Sequence, residues 1–159
     1  ARVERGRNLT QPEFPGKDTK VTTETYTHAR YDNQLHTTLN NSAGRPYQKE
    51  IRYYNGDGYL LKYLRSFVMT SERHEEVYTY EAHGWISSVE VKAGRSPHRT
   101  EYVYDGVGNL LMEDRFEDGQ MVYHKEFVYE GADMLLRAEL TRREAEGMLE
   151  ITTYTYEFR

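Results

Sequence analysis

Aromatic side chains recur at every second position in several short stretches of the chain. Tyr78 and Tyr80 flank a threonine, and Tyr102 and Tyr104 flank a valine. A period of two is typical of a strand that buries one face more than the other, and the β-branched residues between the rings favour the same structure. Helical spacing does not fit these stretches. The pattern therefore predicts β-strands.

The aromatic pairs repeat with a period of about 25 residues. The second ring of each pair lies at positions 54, 80, 104, 129 and 156, in steps of 26, 24, 25 and 27 residues. In the four complete copies an aliphatic residue follows that ring by six positions. These aliphatic residues are Leu60, Ile86, Leu110 and Leu135. A degenerate first copy is predicted over residues 25–39, with Ala29 and Leu35 in register. Self-similarity at a fixed period indicates a repeat architecture.

Each copy has room for two strands and two short turns. Turn-rich clusters at residues 93–97, 117–120 and 144–147 separate the copies. Within the copies, turns are predicted near Gly58, Gly84, Gly108 and Asp133. We therefore expect an all-β fold, an antiparallel β-hairpin-repeat meander of ten or eleven strands that forms a curved open sheet or a partly closed barrel.

Two segments of the chain do not show the repeat pattern as clearly as the rest. Residues 132–142 are rich in Leu, Arg, Ala and Glu, which also favour a helix, but the repeat predicts a strand there. Residues 1–20 have no periodicity and contain Pro12, Pro15 and Gly16. We expect this segment to be an extended or disordered amino-terminal arm, and residues 21–159 to form the repeat domain.

Composition narrows the possible partners. The formal charge of −5 comes from 21 basic and 26 acidic residues that are interspersed, so no basic stripe for nucleic acid is predicted. No apolar run reaches the 18 or more residues of a membrane-spanning helix. The chain has no cysteine, which excludes disulfides and thiolate metal sites, while 15 tyrosines supply buried area that the aliphatic residues lack. Because the chain begins at Ala1 rather than Met, we expect export with removal of a signal peptide, or a trimmed chain.

The copy over residues 102–110 reads Tyr-Val-Tyr-Asp-Gly-Val-Gly-Asn-Leu and resembles the YD repeat of rearrangement-hot-spot (RHS) proteins, which include the shells of bacterial toxin complexes. Other copies keep the Tyr-x-Tyr and Gly-x-Leu framework but have Asn55, Glu81 or Glu130 in place of the aspartate. The resemblance covers residues 25–159. It implies a sheet wound from repeats and, for a short member, a secreted or envelope binding protein. About five repeats are too few to enclose a cargo, and the longer period implies longer strands than is usual in the family.

Three histidines occupy nearly equivalent repeat positions, but they do not predict a metal site. His74, His98 and His124 would lie about 10 Å apart in successive hairpins, whereas the ligands of one zinc ion each lie about 2 Å from it. No carboxylate pair has a spacing that indicates catalysis, and no nucleophile elbow, phosphate loop or His-Glu-x-x-His motif occurs. We therefore predict no catalytic residue, no metal and no cofactor.

One position varies among the copies and is the better candidate for binding. The residue before the repeated aliphatic residue is Gln34, Tyr59, Trp85, Asn109 or Met134. Tyr and Trp dominate binding hot spots, so Tyr59 and Trp85 are the predicted binding residues, about 10 Å apart at hairpin mouths. The alternative is that both rings pack against the amino-terminal arm. For the repeated tyrosines, a structural role is favoured over stacking on a sugar.

Together these patterns predict a non-enzymatic binding or interaction scaffold of the cell envelope or secreted space, with a protein or glycan partner. The alternative is a periplasmic carrier that binds a lipophilic ligand in a curled β-sheet. A glycan-cleaving enzyme is a third possibility, and it needs two carboxylates about 5 to 9 Å apart in a cleft. The sequence does not indicate an oligomeric state.

Overall fold

The computed structural model describes residues 24–93, 96–131 and 135–157. These residues form eleven strands and one short 3-10 turn over Glu144–Glu146. The strands are β1 (Thr25–Tyr31), β2 (Gln34–Asn40), β3 (Pro46–Tyr54), β4 (Leu60–Phe67), β5 (Arg73–Tyr80), β6 (Ile86–Ala93), β7 (His98–Tyr104), β8 (Leu110–Glu117), β9 (Gln120–Glu130), β10 (Leu135–Arg143) and β11 (Met148–Thr153).

All eleven strands belong to one antiparallel sheet, and their order in the sheet is their order in the chain. The predicted all-β meander is confirmed, with eleven strands. β10 covers most of the segment in which helix and strand signals competed, so the repeat predicted that segment correctly. The expected arm over residues 1–20 and the turn near Asp133 lie outside the described residues. Within the described ranges, no helix has the length and apolar character needed to cross a membrane.

The contacts within the chain divide it into two units. The first unit ends at Glu75 and contains β1 to β4 with the start of β5. The second unit begins at Glu76 and contains the rest of β5 and β6 to β11. The same kind of hairpin loop occurs in both units.

In the first unit, the loop between β3 and β4 shows why the repeat contains an Asn or Asp followed by glycine. The side-chain Oδ1 of Asn55 accepts hydrogen bonds from the backbone N–H groups of Asp57 at 3.0 Å and Tyr59 at 2.9 Å. Backbone bonds join Asn55 N–H to the Tyr59 carbonyl and Gly58 N–H to the Asn55 carbonyl. Gly58 has φ of 90°, a conformation that glycine adopts readily. The short polar side chain therefore holds the loop closed.

In the second unit, the loop between β7 and β8 has the same hydrogen bonds. Asp105 Oδ1 accepts the backbone N–H groups of Val107 and Asn109, each at 2.9 Å. The Asn109 side chain also donates to Asp105 Oδ2 at 2.7 Å, and these bonds, that of the Asn109 side chain first, lower the pKa of Asp105. The loop after β5 keeps the backbone bonds with Glu81 in this position. Glutamate can therefore replace Asn or Asp at this position, because the backbone hydrogen bonds of the loop form without the short polar side chain.

The five-residue loop explains why an aliphatic residue follows the tyrosine by six positions. Tyr54 pairs directly with Leu60 across the loop in the first unit, and Tyr104 pairs with Leu110 in the second. The fourth copy differs, because its Tyr129 pairs with the residue one position after the repeated Leu135. The degenerate first copy turns over two residues instead of five. The spacing of six thus marks a true cross-strand pair in some copies only.

The repeated tyrosine also connects successive copies of the second unit. The Tyr129 hydroxyl donates to the backbone carbonyl of Leu110 at 2.9 Å, and the Tyr156 hydroxyl donates to the carbonyl of Leu136 at 2.9 Å. Leu110 and Leu136 are equivalent, since each pairs with the tyrosine of its own copy. Each hydrogen bond therefore ties one hairpin to the hairpin before it. This geometry supports the structural role predicted for the repeated tyrosines.

Few side chains of the sheet are fully covered. Among the described residues, the buried apolar side chains are Leu39 and Val91, and the buried polar ones are Thr37, Ser88 and Thr100. Three of the five are small hydroxyl residues, which long neighbouring side chains can cover with their aliphatic stems. Burial in this protein is therefore shared among many half-exposed side chains rather than concentrated in a thick core.

One face of the second unit carries a row of polar side chains that begins at a tyrosine. Consecutive cross-strand partners in one row from β7 to β11 are Tyr102, Glu113, Lys125, Thr141 and Glu150. The Tyr123 hydroxyl, from the neighbouring row, donates a hydrogen bond to the Glu113 carboxylate. Partial burial raises the pKa of Tyr123, and the hydrogen bond and the charge of Glu113 raise it further. Tyr102 and Tyr123 thus contribute ring surface and a polar bond to the same face.

We expect the substitution Tyr129→Phe to lower the free energy of unfolding by about 1 kcal/mol, because it removes the hydroxyl that binds the carbonyl of the preceding hairpin. The matched control is Tyr31→Phe, since the Tyr31 side chain is 59% exposed and should tolerate the change within about 0.5 kcal/mol. Urea denaturation of the three proteins measures both effects. Equal stability of all three proteins contradicts the role given to the Tyr129 hydroxyl.

Candidate functional site

The two predicted binding residues lie at the ends of equivalent loops in different units. Tyr59 is the last residue of the β3–β4 loop, and 40% of its surface is exposed. Its backbone N–H and carbonyl both take part in the loop hydrogen bonds, so the position of the ring follows from the loop. Trp85 is the last residue of the β5–β6 loop, and its carbonyl accepts the N–H of Glu81.

Trp85 is half-buried and packs within the second unit. Its ring stacks on His83, with centroids 4.9 Å apart, and lies 5.5 Å from the Tyr104 ring. It also covers Gly108 of the next copy: a Cβ at that glycine would lie 2.8 Å from Trp85 Cζ2. Trp85 therefore has a packing role between two successive loops. Whether Tyr59 and Trp85 also anchor a ligand stays a prediction.

A groove of about 510 Å³ lies in the second unit at one end of β6, β7 and β8. The Phe116 ring gives it apolar surface. Val91 also borders the groove, but its side chain is 7% exposed and lies on the opposite face of the sheet from Arg99, because Val91 follows Glu90, the cross-strand partner of Arg99. Charged side chains of both signs surround the Phe116 ring. The residues that line the groove are Glu90, Val91, Lys92, Pro97, His98, Arg99, Glu101, Phe116, Asp118 and Gly119.

The charged groups of the groove are arranged in pairs. Arg99 Nη2 lies 2.8 Å from Glu101 Oε1, and Lys92 Nζ lies 3.4 Å from Glu90 Oε2. All four side chains are between about two-fifths and three-fifths exposed, so water screens the pairs and each stabilises the fold only weakly. Such groups remain available to a ligand that offers hydrogen-bond donors and acceptors. The groove therefore presents charged groups of both signs beside the Phe116 ring.

Sequence reasoning missed this groove because its residues are far apart in the chain. Arg99 of β7 is the direct cross-strand partner of Phe116 of β8, and Glu90 of β6 is the partner of Arg99. The repeated tyrosines and the glycine loops, which the sequence pattern does identify, lie at the opposite end of the hairpins. Only the register of the strands, which the sequence does not state, brings the groove residues together.

Each of the three repeated histidines has local partners of its own. In the first unit, His74 makes an edge contact with the Tyr63 ring at 6.2 Å. In the second unit, His98 Nδ1 lies 2.7 Å from the Ser96 carbonyl. Across the part of the chain that the structure describes, no group of three or more His, Cys, Asp or Glu side chains is placed to hold a metal ion.

His124 has the most polar surroundings of the three. Its Nδ1 makes a short contact with Asp114, its cross-strand partner, and its Nε2 lies 3.0 Å from Glu126 on its own strand. Partial burial alone would lower the pKa of His124, but the hydrogen bonds and charges of the two carboxylates outweigh it, so the pKa is raised above 6.5. The imidazolium form thus fits this site, where both ring nitrogens donate to carboxylates.

The chain matches no protein-family model and no curated protein.

We expect Gly108→Ala to destabilise the protein for two reasons. The φ of Gly108 is 98°, which strains any residue with a Cβ, and the new methyl group would meet the Trp85 ring. Gly58→Ala is the matched control: φ is 90° but the space around it is open, so only the backbone strain of roughly 1 to 2 kcal/mol applies. Denaturation should show a larger loss for Gly108→Ala.

The same pair of residues permits a double-mutant cycle. In a Trp85→Ala background, the added cost of Gly108→Ala should fall to that of Gly58→Ala, because the clash is gone and the backbone strain remains. An unchanged cost in that background contradicts the packing of Trp85 on Gly108.

The raised pKa of His124 predicts a pH dependence of stability. Protonation of His124 stabilises the folded state, so its contribution is fully present below pH 6.5 and is lost as the pH rises through the pKa of the folded protein. NMR titration should give His124 a midpoint above 6.5, and Asp114→Asn should lower it. Glu150→Gln is the control, because Glu150 lies in a row of the opposite face, and it should leave the midpoint unchanged. A midpoint below 6.5 in the unmodified protein contradicts this assignment.

Proposed function

We propose that this protein is a non-enzymatic binding or interaction scaffold of the cell envelope or secreted space, with a protein or glycan partner. The observation that carries the proposal is the groove of the second unit, in which Phe116 lies beside the Arg99–Glu101 pair. A concave site that combines apolar surface with polar groups can bind and orient a ligand.

The groove favours an extended polar partner. A peptide segment or an oligosaccharide offers donors and acceptors that can replace water on Arg99 and Glu101, while an apolar side chain or a sugar ring packs on Phe116. The groove residues Glu90 and Arg99 are direct cross-strand partners, as are Arg99 and Phe116, so these positions lie on paired strands. A site on paired strands holds its geometry better than a site on a loop.

The resemblance to YD-repeat proteins supports the same class of function and the proposed location. It rests on the Tyr-x-Tyr-Asp-x-x-Gly-x-Leu copy over residues 102–110. The loop hydrogen bonds of Asp105 and the positive φ of Gly108 give these repeated residues a structural reason. The proposed absence of catalysis rests on the sequence, in which no local catalytic motif occurs.

The lipophile carrier proposed as the alternative has less support. A carrier needs a pocket lined by apolar side chains. The groove of the second unit has six charged or histidine side chains among its ten lining residues, so it suits a lipophilic ligand poorly.

We expect a peptide mixture or a mixture of neutral and uronic-acid oligosaccharides to shift the backbone amide NMR signals of residues around Val91, Arg99 and Phe116. Arg99→Ala should then weaken binding of the active probe at least fivefold, the loss of about 1 kcal/mol that marks an anchor residue. The control is Arg30→Ala, which removes an exposed arginine from β1 in the first unit and should leave the affinity unchanged.

Other outcomes of this titration separate the alternatives. Shifts confined to the loops of Tyr59 and Trp85 would move the site to the residues predicted from the sequence. Shifts with a fatty acid, and with neither polar mixture, would favour the carrier. The absence of any shift at the groove with both polar mixtures contradicts the proposal.

A further inference from the structure

The last strand of the sheet has a neighbour on one side only among the described residues. β11 pairs with β10 from Arg143↔Met148 to Ala138↔Thr153. All six of its residues are exposed, including three large apolar ones. Met148, Leu149 and Ile151 are 43%, 53% and 57% exposed. β11 thus combines backbone groups at a sheet edge with exposed apolar side chains.

Natural edge strands usually carry features that block the addition of another strand, such as lysine, proline, a bulge or an inward-pointing charge. β11 reads Met-Leu-Glu-Ile-Thr-Thr, without lysine, arginine, proline or glycine. Its register with β10 is continuous, and Glu150 is its one charged residue. The chemistry of β11 therefore permits pairing with a further strand.

We propose that β11 pairs antiparallel with β11 of a second copy of this chain, about a two-fold axis that passes through the Ile151 pair. A two-fold interface of this kind is self-complementary, since each contact is made twice. The proposal concerns self-association of the second unit and is independent of what the groove binds.

The side chains of β11 select this register. In an antiparallel pair related by a two-fold axis perpendicular to the sheet, opposite residues lie on the same face, so a residue pairs with one of the same parity. Centring the axis on Glu150 places two carboxylates directly opposite each other, which is destabilising. Centring it on Leu149 brings only Met148, Leu149 and Glu150 of the strand into pairs and flanks the leucines with Arg142.

Centring the axis on Ile151 gives the most favourable neighbours. Five residues of each strand then pair, and Glu150 lies opposite Thr152 of the second copy. Ile151 is already the cross-strand partner of Leu140 on β10. The dimer therefore has a row of four aliphatic side chains, Leu140 and Ile151 from each copy, which buries exposed surface of both isoleucines. Because a single pair of short strands buries less area than a standard interface, the dimer should be concentration-dependent.

Disulfide trapping tests the register, since the chain has no cysteine of its own. In Ile151→Cys the two thiols would lie directly opposite, with Cα atoms about 4.5 to 5.5 Å apart, within the range for a disulfide. In Leu149→Cys, a change on the same strand and face, the thiols would be offset by four residues, or about 13 Å. Mild oxidation should give a covalent dimer of Ile151→Cys, in a fraction that rises with protein concentration, and little of Leu149→Cys.

Sedimentation velocity on the unmodified full chain is the second measurement. We expect a monomer–dimer equilibrium that Ile151→Lys abolishes and that Val107→Lys leaves unchanged. Val107 is the matched control because it is an exposed valine in the β7–β8 loop, away from β11. A monomer at every concentration, species larger than a dimer, or trapping of Leu149→Cys as readily as Ile151→Cys overturns the proposal.

Discussion

Each strand of this protein has to find much of its burial beside its neighbours in the sheet, because all the described strands belong to one sheet and few of their side chains are fully buried. A strand in a sandwich buries one face in a core about 10 Å thick. Here the cross-strand neighbour is the main source of contact for most side chains. This constraint explains the composition, since tyrosine, arginine and glutamate have long side chains that cover their neighbours while keeping a polar end in water.

The same constraint gives importance to the hydrogen bonds that fix one hairpin on the next. Without a core to hold strands in register, the loops and the tyrosine hydroxyls have to do so. Asp105 closes its loop through its side chain, and Tyr129 donates to Leu110 of the preceding hairpin. The first contact lies within one copy, and the second joins the next copy to it. The groove around Phe116 lies outside these repeated contacts.

The sequence was sufficient for the fold and insufficient for the groove, for a physical reason. Side-chain alternation and turn chemistry act over a few residues, and they predicted the strands and the loops at Gly58, Gly84 and Gly108. Register acts between strands, and one extra or missing loop residue changes it, as the pairing of Tyr129 one position beyond Leu135 shows. The groove depends on register and was missed. The packing of Trp85 on Gly108 was missed as well, because contacts between loops leave no local pattern.

The most direct test of this account is the access of solvent to both faces of the second unit. A soluble gadolinium chelate should broaden the NMR signals of the Tyr102 ring on one face and of the Val103 and Ile151 methyl groups on the other. The Val91 methyl groups provide the protected reference, because Val91 is buried. The account predicts clear broadening on both faces relative to Val91. Protection of one whole face to the level of Val91 would contradict it, because that face would then be covered by a core that the sheet does not need here.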